Sequence, residues 1–489
     1  MRSSIQMSDA HMKSNLNTVI PIRPHPHHAS RLKPKCWLIG DRAGNFPTAA
    51  AEIARLRGIE TEACPIDGGY LPTLLGAPGQ LIAISLDLLT QLSPEEKLRM
   101  RRWVERGATV YVRGPIEPGR KYSMKPLADV EFDSAIQPSL GYRFTAHWIL
   151  PVAIARESVA EIARCRPVAL GLSNSARPLL TSTHPSGEQS PIIFAVEVGA
   201  GVIVCDLNEE IADLSTPLIS RLSDPASRTA IAGTLAALDY AAGRDASLSA
   251  PINLVLDDRP INHDFFNGGR TEKFLKNIDS QCPGIHIDFA WTPNQTRVNR
   301  AYVETLRRYN TGYVWHGLLR HMDHSTIMDL ETEFSIGRSL IREISKRYDV
   351  QIQPVMIFPY EKDNAACVAL LRRADFVAKV QSFDPDPKAV PRSYFRLRSA
   401  QTDTSAGASF ATLLRDSVEM LNRNRMLALA TLGMPIIALA HPNNLGVQRL
   451  RPTREPMGPS YFDRIVKFAA EKSLRPMSLE HIACEMPVD

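Results

Sequence analysis

At Ile252-Asn253-Leu254-Val255-Leu256-Asp257-Asp258, an apolar run leads directly into two adjacent carboxylates. A buried strand delivers its carboxyl-terminal residues to the lip of a parallel sheet or barrel, where binding and catalytic sites are built. Two carboxylates there repel each other and are costly to bury unless a cation or a proton relieves them. Because side chains alternate along a strand, one Asp can bind a metal ion while its neighbour stays free. A helix-cap or turn pair is the alternative interpretation of the dipeptide alone.

Histidines cluster after a second strand-like run, residues 311–315. Three of the chain's 13 histidines follow that run, namely His316, His321 and His324. Imidazoles combined with one carboxylate suit zinc or a similar divalent ion and leave coordination positions open for water. The cluster therefore favours a metal site, with a polar loop as the alternative.

Two further apolar runs end in polar groups. Residues 355–358 run into Pro359-Tyr360, a rigid turn with an aromatic side chain, and residues 436–440 run into His441. A histidine at a barrel lip can act as a general acid toward a leaving group. The four strand ends together predict one site.

Composition limits the class of protein. The chain has 489 residues, enough for two or three domains. Its net charge of +5 is mild and the basic residues are scattered, so no nucleic-acid partner is predicted. The seven dispersed cysteines indicate free thiols in a reducing compartment. No stretch approaches the roughly 20 apolar residues of a membrane span, so a cytoplasmic location is predicted.

The N-terminal half has a mixed pattern. Residues 1–33 are interpreted as a disordered leader because Pro, His and Arg interrupt any apolar core. Residues 34–243 alternate strands with helices, which is typical of a doubly wound parallel α/β sheet. Within them, residues 130–208 turn to β-rich pieces, which predicts a β-rich insertion. Small polar residues at 243–251 predict a linker.

Residues 252–489 repeat a strand-then-helix rhythm, which predicts a complete or incomplete β/α barrel with a long loop at residues 383–407. Strands are predicted at 252–256, 284–290, 311–315, 351–357, 374–380 and 434–440. Helices are predicted at 271–279, 295–308, 325–347, 363–373, 408–432 and 459–473.

This order of strand-end residues resembles that of the polysaccharide deacetylase (NodB-homology) carbohydrate esterases over about residues 252–485. Asp257-Asp258 looks like the family's first motif, in which the first Asp is the base and the second binds the metal. His316 and His321 resemble its paired histidine ligands. The resemblance implies a barrel of deacetylase type.

The later motifs of that family also have counterparts here. Pro359-Tyr360 resembles the Pro-Tyr of its third motif, and His441 resembles the acid histidine of its last. The chain departs from the family at four positions: four residues instead of three separate His316 from His321, Arg259 and Glu361 stand where Gly is common, and Ile357 stands where the third motif has Arg.

Residues 34–243 are similar to the class I glutamine-amidotransferase-like flavodoxin fold, chiefly through Ser93 to Gly114. That stretch reads as a helix followed by a buried strand. No Gly-x-Cys-x-Gly nucleophile elbow is present, and Cys205 reads as a core strand residue. A role in binding or assembly is therefore predicted for this half.

The resemblance implies a metal-dependent hydrolase that removes an acyl group, such as acetyl, from a carbohydrate-like small molecule or glycan precursor. Zinc is the expected ion, and the oligomeric state is left open. The expected roles are Asp258, His316 and His321 as metal ligands, Asp257 as base, His441 as acid and Tyr360 as a substrate contact. The alternatives are a catalytically silent barrel that binds carbohydrate or protein, and a glycoside hydrolase on a similar barrel.

Overall fold

The computed structural model describes the chain at residues 35–40, 54, 59–65, 81–114, 116–145, 160–208, 224–243, 250–257, 270–294, 300–324, 327–382, 410–431, 433–441 and 460–485. Four predictions fall wholly or mostly outside these residues: the leader at 1–33, the linker at 243–251, the placement of Asp258, and the loop at 383–407.

The first sheet starts with parallel strands. β1 (Lys35–Gly40) lies between β2 (Glu60–Pro65) and β3 (Leu81–Ser85), β3 pairs with β4 (Thr109–Arg113), and β4 pairs with β10 (Gly201–Asp206). With β10 as the fifth strand, this is the 2-1-3-4-5 order found in one class of doubly wound sheets. The connections around β2 lie largely outside the described residues, so a flavodoxin-like arrangement of helices on both faces stays a prediction.

Helices α1 (Leu86–Gln91) and α2 (Pro94–Glu105) connect β3 to β4. The start of α2 is confirmed. The Ser93 hydroxyl accepts the Glu96 backbone N–H at 3.2 Å, and the Glu96 carboxylate accepts the Ser93 backbone N–H at 2.8 Å. This reciprocal capping box satisfies two donors that a helix N-terminus leaves open.

The predicted β-rich stretch is observed as antiparallel strands. They are β5 (Lys121–Ser123), β6 (Glu131–Phe144), β7 (Ala160–Leu170), β8 (Ala176–Thr183) and β9 (Gln189–Val198). β9 pairs with β10, β8 with β9, and β6 with β8, β7 and β5. The strands therefore extend the first sheet instead of forming a second one.

The second sheet consists of parallel strands separated by helices. Its strands are β11 (Pro251–Leu256), β12 (Ile287–Trp291), β13 (Thr311–His316), β14 (Gln353–Ile357), β15 (Ala378–Ser382), β16 (Ala411–Ser417), β17 (Ile436–Ala440) and the short β18 (Arg475–Pro476). In chain order, α3 (Pro225–Ala241) precedes this sheet, and its helices are α4 (Arg270–Gln281), α5 (Arg300–Leu306), α6 (Leu330–Tyr348), α7 (Ala365–Arg373), α8 (Arg423–Thr431), α9 (Ser460–Glu471) and α10 (Leu479–Glu485).

Strands β11 to β17 close into a barrel of seven parallel strands, because β11 pairs with both β12 and β17. The predicted β/α barrel is therefore confirmed. One predicted element is wrong: the single helix at residues 408–432 is strand β16 followed by helix α8. Barrel closure requires a strand between β15 and β17, and this tertiary demand overrides the helical spacing of the sequence.

Strand alternation divides the barrel residues into an inner and an outer set. Val255, Val314, Val355 and Leu413 belong to one hydrophobic cluster of buried residues that fills the barrel. Residues two positions later on each strand have the same inward parity. The side chains that follow these valines and Leu413 by two positions are therefore directed inward at the carboxyl edge.

The amino-terminal end of the barrel carries a buried polar network, which we call the barrel floor. It consists of Asn253, Asp288, Gln353, His286 and the N-terminus of α10. The Asp288 carboxylate accepts the Asn253 amide at 2.8 Å, the Leu479 backbone N–H at 2.9 Å and the His286 Nε2–H at 3.1 Å, and it also accepts the Gln353 amide. The floor thus docks α10 against the barrel.

Helix α3 joins the two halves of the described chain in one core. Its buried residues, such as Ile231 and Leu235, share a hydrophobic cluster with Val204 of the first sheet and with Leu427 of α8. Although α3 is among the most apolar helices, no helix within the described ranges is long and apolar enough to cross a membrane.

Candidate functional site

Four polar side chains occupy inward-facing positions at the carboxyl edge of the barrel. Asp257 follows β11, His316 ends β13, Arg415 lies on β16, and His441 follows β17. Each is two positions beyond a buried apolar residue of the barrel interior, namely Val255, Val314, Leu413 and Leu439. Because side chains alternate along each strand, these four residues, which are far apart in the sequence, form one polar layer.

Asp257 lies in the middle of this layer and is 3% exposed. Its Oδ2 accepts a hydrogen bond from Arg415 Nη1 at 2.7 Å, and its Oδ1 lies 3.1 Å from His316 Nδ1. Its backbone N–H donates to the Ala440 carbonyl at 2.8 Å, which anchors it to the end of β17. Asp257 therefore links three strands across the barrel mouth.

Burial of this carboxylate is compensated by charge. Arg415 is itself 3% exposed, so the ion pair that it forms with Asp257 lies in a region shielded from solvent. Such a pair costs desolvation on both sides, and the loss of one partner leaves the other as an uncompensated buried charge. The two residues therefore depend on each other.

The hydrogen bonds of His316 define its tautomer. Nδ1 lies 3.1 Å from Asp257 Oδ1 and 3.2 Å from the Ile357 carbonyl oxygen. The Ile357 carbonyl oxygen can only accept a hydrogen bond, so Nδ1 is the donor of this bond. Nδ1 must therefore carry the proton, and in the neutral ring Nε2 carries the lone pair. A metal-bound histidine is commonly arranged in this way, with its second nitrogen donating to a carboxylate or carbonyl.

A tight turn brings His321 back beside His316. Gly317 has φ +82°, and a Cβ there would lie 2.7 Å from the Arg320 carbonyl oxygen. Only glycine adopts this conformation without strain and fits the close approach. As a result, the rings of His316 and His321 lie 4.9 Å apart between centroids.

His324 has a structural role. It is fully buried, and its Nε2 accepts the Leu318 backbone N–H at 2.9 Å, so this nitrogen supports the turn. Burial is the largest cause that lowers the pKa of His324, to about 4. His324 is therefore engaged with the backbone through Nε2, and the choice of His316 and His321 as ligands stays a prediction. The sequence had left this choice open.

Tyr360 stands at the rim in an unusual backbone conformation. It has φ 55° and ψ 10°, a left-handed geometry that a bulky residue rarely adopts. Its side chain is 68% exposed, and its ring meets that of His321 edge-on at 5.0 Å. The turn that begins at Pro359 therefore presents an aromatic surface beside the histidine pair.

The predicted residues therefore fall into three groups. Asp257, His316, His321 and Tyr360 are brought together through the contacts given above. His441 is half-buried and follows the strand end whose Ala440 carbonyl binds the Asp257 backbone. Asp258 lies outside the described residues.

The histidine pair partly fits a metal ion. Two imidazoles bound to one tetrahedral zinc, with Zn–N distances of about 2.0–2.1 Å, hold their ring centroids about 5 Å apart. The observed 4.9 Å between His316 and His321 agrees with this value. Within the described part of the chain, no group of three or more His, Cys, Asp or Glu side chains is placed to hold a metal ion. A third ligand would have to come from elsewhere, and Asp258 is the candidate.

Arg415 is the site residue that sequence reasoning missed. The sequence predicts a helix at residues 408–432, and this prediction leaves no strand end at Arg415. The signal was nevertheless present, since Ala411, Leu413 and Arg415 alternate like the inward residues of the other strands. Ile357, at the position where the resembling family has Arg, belongs to the apolar interior instead.

No protein-family model and no curated protein matches the chain. Among solved structures, the Bc1960 peptidoglycan N-acetylglucosamine deacetylase aligns at 12% identity over 48% of this chain and 91% of its own, with a TM-score of 0.30. A chitin deacetylase from the fungus Colletotrichum lindemuthianum aligns at 14% identity over 39% of this chain and 88% of its own, with a TM-score of 0.22.

A glycosidase also aligns. The exo-β-1,4-mannosidase Op5Man5 from Opitutaceae bacterium strain TAV5 matches at 16% identity over 43% of this chain and 36% of its own, with a TM-score of 0.24. All of these TM-scores are low, so neither the fold nor the activity of this chain is argued from them.

Proposed function

We propose that this protein is a metal-dependent hydrolase that removes an acyl group, with acetyl as the first candidate, from a sugar-like substrate. The observation that carries the proposal is the Asp257–His316 contact at the barrel mouth, with His321 beside it. This contact joins a buried carboxylate to an imidazole in the tautomer whose Nε2 can bind a metal ion.

Zinc is the ion that the donor set fits best, because two imidazoles and one carboxylate leave an open position on a tetrahedral ion. His316 and His321 would hold it together with Asp258. When bound, such an ion polarises the acyl oxygen and lowers the pKa of the attacking water.

Asp257 is the proposed general base. Its carboxylate lies at the barrel mouth between Arg415 and His316, beside the proposed metal ligands. Asp257 takes the proton of the attacking water while the water oxygen bonds to the acyl carbon. The bond from that carbon to the sugar nitrogen or oxygen then breaks.

His441 is the proposed general acid, which protonates the departing amine or alkoxide. His441 directly follows β17 and occupies an inward-facing position. β17 pairs with β11, the strand that ends next to Asp257. Tyr360 offers its exposed ring to the substrate, since aromatic faces pack well against the apolar faces of sugar rings. Base, acid and aromatic surface then surround one reaction site.

The test combines metal analysis with product analysis. Purified full-length protein is examined by elemental analysis and then assayed with N-acetylated and O-acetylated mono- and oligosaccharides, both free and nucleotide-linked. We expect one bound zinc ion, release of acetate, loss of activity with chelator and recovery with zinc. Wild-type protein that binds no divalent ion, and whose substrates are unchanged by mass spectrometry, would rule out the proposal.

One observation favours a second candidate, a catalytically silent barrel that binds carbohydrate. Both oxygens of Asp257 contact protein groups, Oδ2 through the hydrogen bond from Arg415 and Oδ1 through the 3.1 Å contact with His316, as in a purely structural carboxylate. Calorimetric binding of the same sugars without acetate release would support this alternative. Cleavage of glycosidic bonds instead of acetate release would identify a glycoside hydrolase.

A further inference from the structure

The barrel has a weakly paired seam between β16 and β17. β16 pairs with β15 from Ala378↔Ala411 to Ser382↔Arg415, but with β17 only at Asp416↔Ala438 and Ser417↔Leu439. The backbone at Arg415 is therefore held from the β15 side. Its side chain crosses the seam, passes β17 and reaches Asp257 at the end of β11.

Arg415 and Asp416 are adjacent on β16, have opposite charges and point to opposite faces of the barrel wall. Arg415 points inward to Asp257 at 2.7 Å, whereas Asp416 forms a two-bond ion pair with Arg425 of α8, each bond 3.1 Å long. Burial is the largest cause that raises the pKa of Asp416, and Arg425 counteracts it. The outer pair fixes the same strand segment from the side of α8, so it provides a matched control for the inner pair.

We propose that Arg415 is the positioning residue of this site: it holds Asp257 against His316 and thereby fixes the His316 ring with Nδ1 protonated. The proposal rests on the proposed function and adds a residue that none of the strand-end motifs contains. Arg415 acts through Asp257 and does not itself touch the substrate.

The guanidinium group suits this role better than an ammonium group would. Its charge is permanent, its donors lie in a rigid plane, and it is less strongly hydrated when buried. It anchors Asp257 Oδ2 and leaves Oδ1 directed at His316. Without Arg415, the carboxylate can rotate away, and the His316 ring then loses its contact with Asp257 Oδ1.

The first measurement is independent of activity. Full-length protein, treated with chelator and labelled with ¹⁵N at histidine, is examined by long-range ¹H–¹⁵N spectroscopy, and the His316 signals are assigned with a His316→Gln variant. We expect an Nδ1-protonated ring in the wild type and in Arg425→Met, and altered tautomer signals in Arg415→Met. Arg415→Lys retains the charge and should give signals between these two.

The second measurement is kinetic. Displacement of a catalytic group by about 1 Å costs on the order of 10²-fold in rate. We therefore expect Arg415→Met to lower kcat by about 10²-fold with KM nearly unchanged. Arg425→Met should keep a kcat close to that of the wild type while lowering the thermal midpoint.

The outcomes separate the two proposals. An unchanged His316 tautomer in both Arg415→Met and Arg415→Lys overturns the positioning role, whether or not the wild type is active. If Arg415→Met does not fold, Arg415→Lys decides by the same spectrum. A wild type that releases no acyl group, but whose His316 signals respond to Arg415, refutes the proposed hydrolase and retains the positioning role.

Discussion

The two ends of the barrel each bury an aspartate, and the two aspartates have different surroundings. At the floor, Asp288 is fully buried and accepts hydrogen bonds from two amides, one backbone N–H and one imidazole. At the mouth, Asp257 is 3% exposed and lies between Arg415 and His316. Both side chains occupy inward-facing positions, so the alternation of side chains along the strands does not distinguish the two aspartates.

The difference lies in what closes each end. Helix α10 covers the floor and contributes backbone donors from Leu479 and Glu480 to Asp288 and Gln353. At the mouth, Asp257 contacts Arg415, whose charge is permanent, and His316, which is a proposed metal ligand. The floor carboxylate therefore ties elements of the fold together, whereas the mouth carboxylate lies at the barrel end where sites are built.

The largest expected effect is on stability, from Asp288→Ala. Removal of the carboxylate leaves the Asn253 and Gln353 amides and the Leu479 backbone N–H without this acceptor in a buried position. We expect the free energy of unfolding to fall by about 3–5 kcal/mol. Urea unfolding followed by circular dichroism measures this loss, and Asp288→Asn should lose less. A loss below about 1 kcal/mol would show that the floor is not a stabilising network.

The corresponding change at the mouth, Asp257→Asn, should act on turnover. General-base catalysis is worth about 10²–10⁴-fold, so kcat should fall by that factor. Zinc content should stay at the wild-type value, since Asp257 is not a proposed ligand. Acetate release and elemental analysis on the same preparation measure both quantities. Retained turnover would remove Asp257 as the base.

Much of the barrel was predictable because its strands are short apolar runs that end in polar residues. The predicted strands at 252–256, 311–315 and 434–440 agree closely with β11, β13 and β17. β16 was missed because Ala411 to Ser417 contains polar residues on both faces and lies close to the helical run of α8. Its strand state depends on barrel closure, which is a tertiary property.

The same limit applied to the site. Asp257, His316 and His321 were identified because they follow recognisable strands, and the structure brings them together. Arg415 could not be identified while its strand was missing. The role of His324 was also beyond the sequence, because it depends on a backbone hydrogen bond that only the folded turn creates.

Stability should depend on pH with opposite signs at the two ends of the barrel, through His286 at the floor and His324 at the mouth. Burial alone would lower the pKa of His286, but its hydrogen bond and ion pair with Asp288 outweigh burial and raise the pKa. Burial lowers the pKa of His324 to about 4. An ordinary unfolded-state pKa of about 6.5 applies to both.

The signs follow by linkage. The contribution of His286 is present below about pH 6.5 and is lost as pH rises through its folded pKa. The contribution of His324 is present above about pH 6.5 and is lost as pH falls toward 4, up to about 3 kcal/mol. Unfolding of chelator-treated protein across pH should show His324→Gln flattening the acid side and His286→Gln flattening the alkaline side. Identical profiles for both variants would contradict this assignment.

A glycine at each end provides a smaller and more local comparison. A Cβ at Gly312 would lie 2.2 Å from Asp288 Oδ1, and a Cβ at Gly317 would lie 2.7 Å from the Arg320 carbonyl oxygen. Alanine at either position should cost about 1–3 kcal/mol of stability. Only Gly317→Ala should also weaken zinc binding, because its turn carries His321. Equal zinc titrations for the two variants would mean that the turn does not position His321.

Substitutions at Tyr360 should have the smallest effect. They test the role of its ring separately from that of its backbone conformation. The side chain is 68% exposed, so truncation should leave the free energy of unfolding nearly unchanged. Tyr360→Phe and Tyr360→Ala both retain a non-glycine residue at φ 55°, so they differ in the ring and not in the backbone strain. Aromatic contacts are worth about 0.5–1.5 kcal/mol, so we expect Tyr360→Ala to raise KM by about 2- to 13-fold, with Tyr360→Phe close to the wild type. Equal KM values for Ala, Phe and the wild type would show that the rim ring does not touch the substrate. The consequence would be that the contact with His321 is its only role.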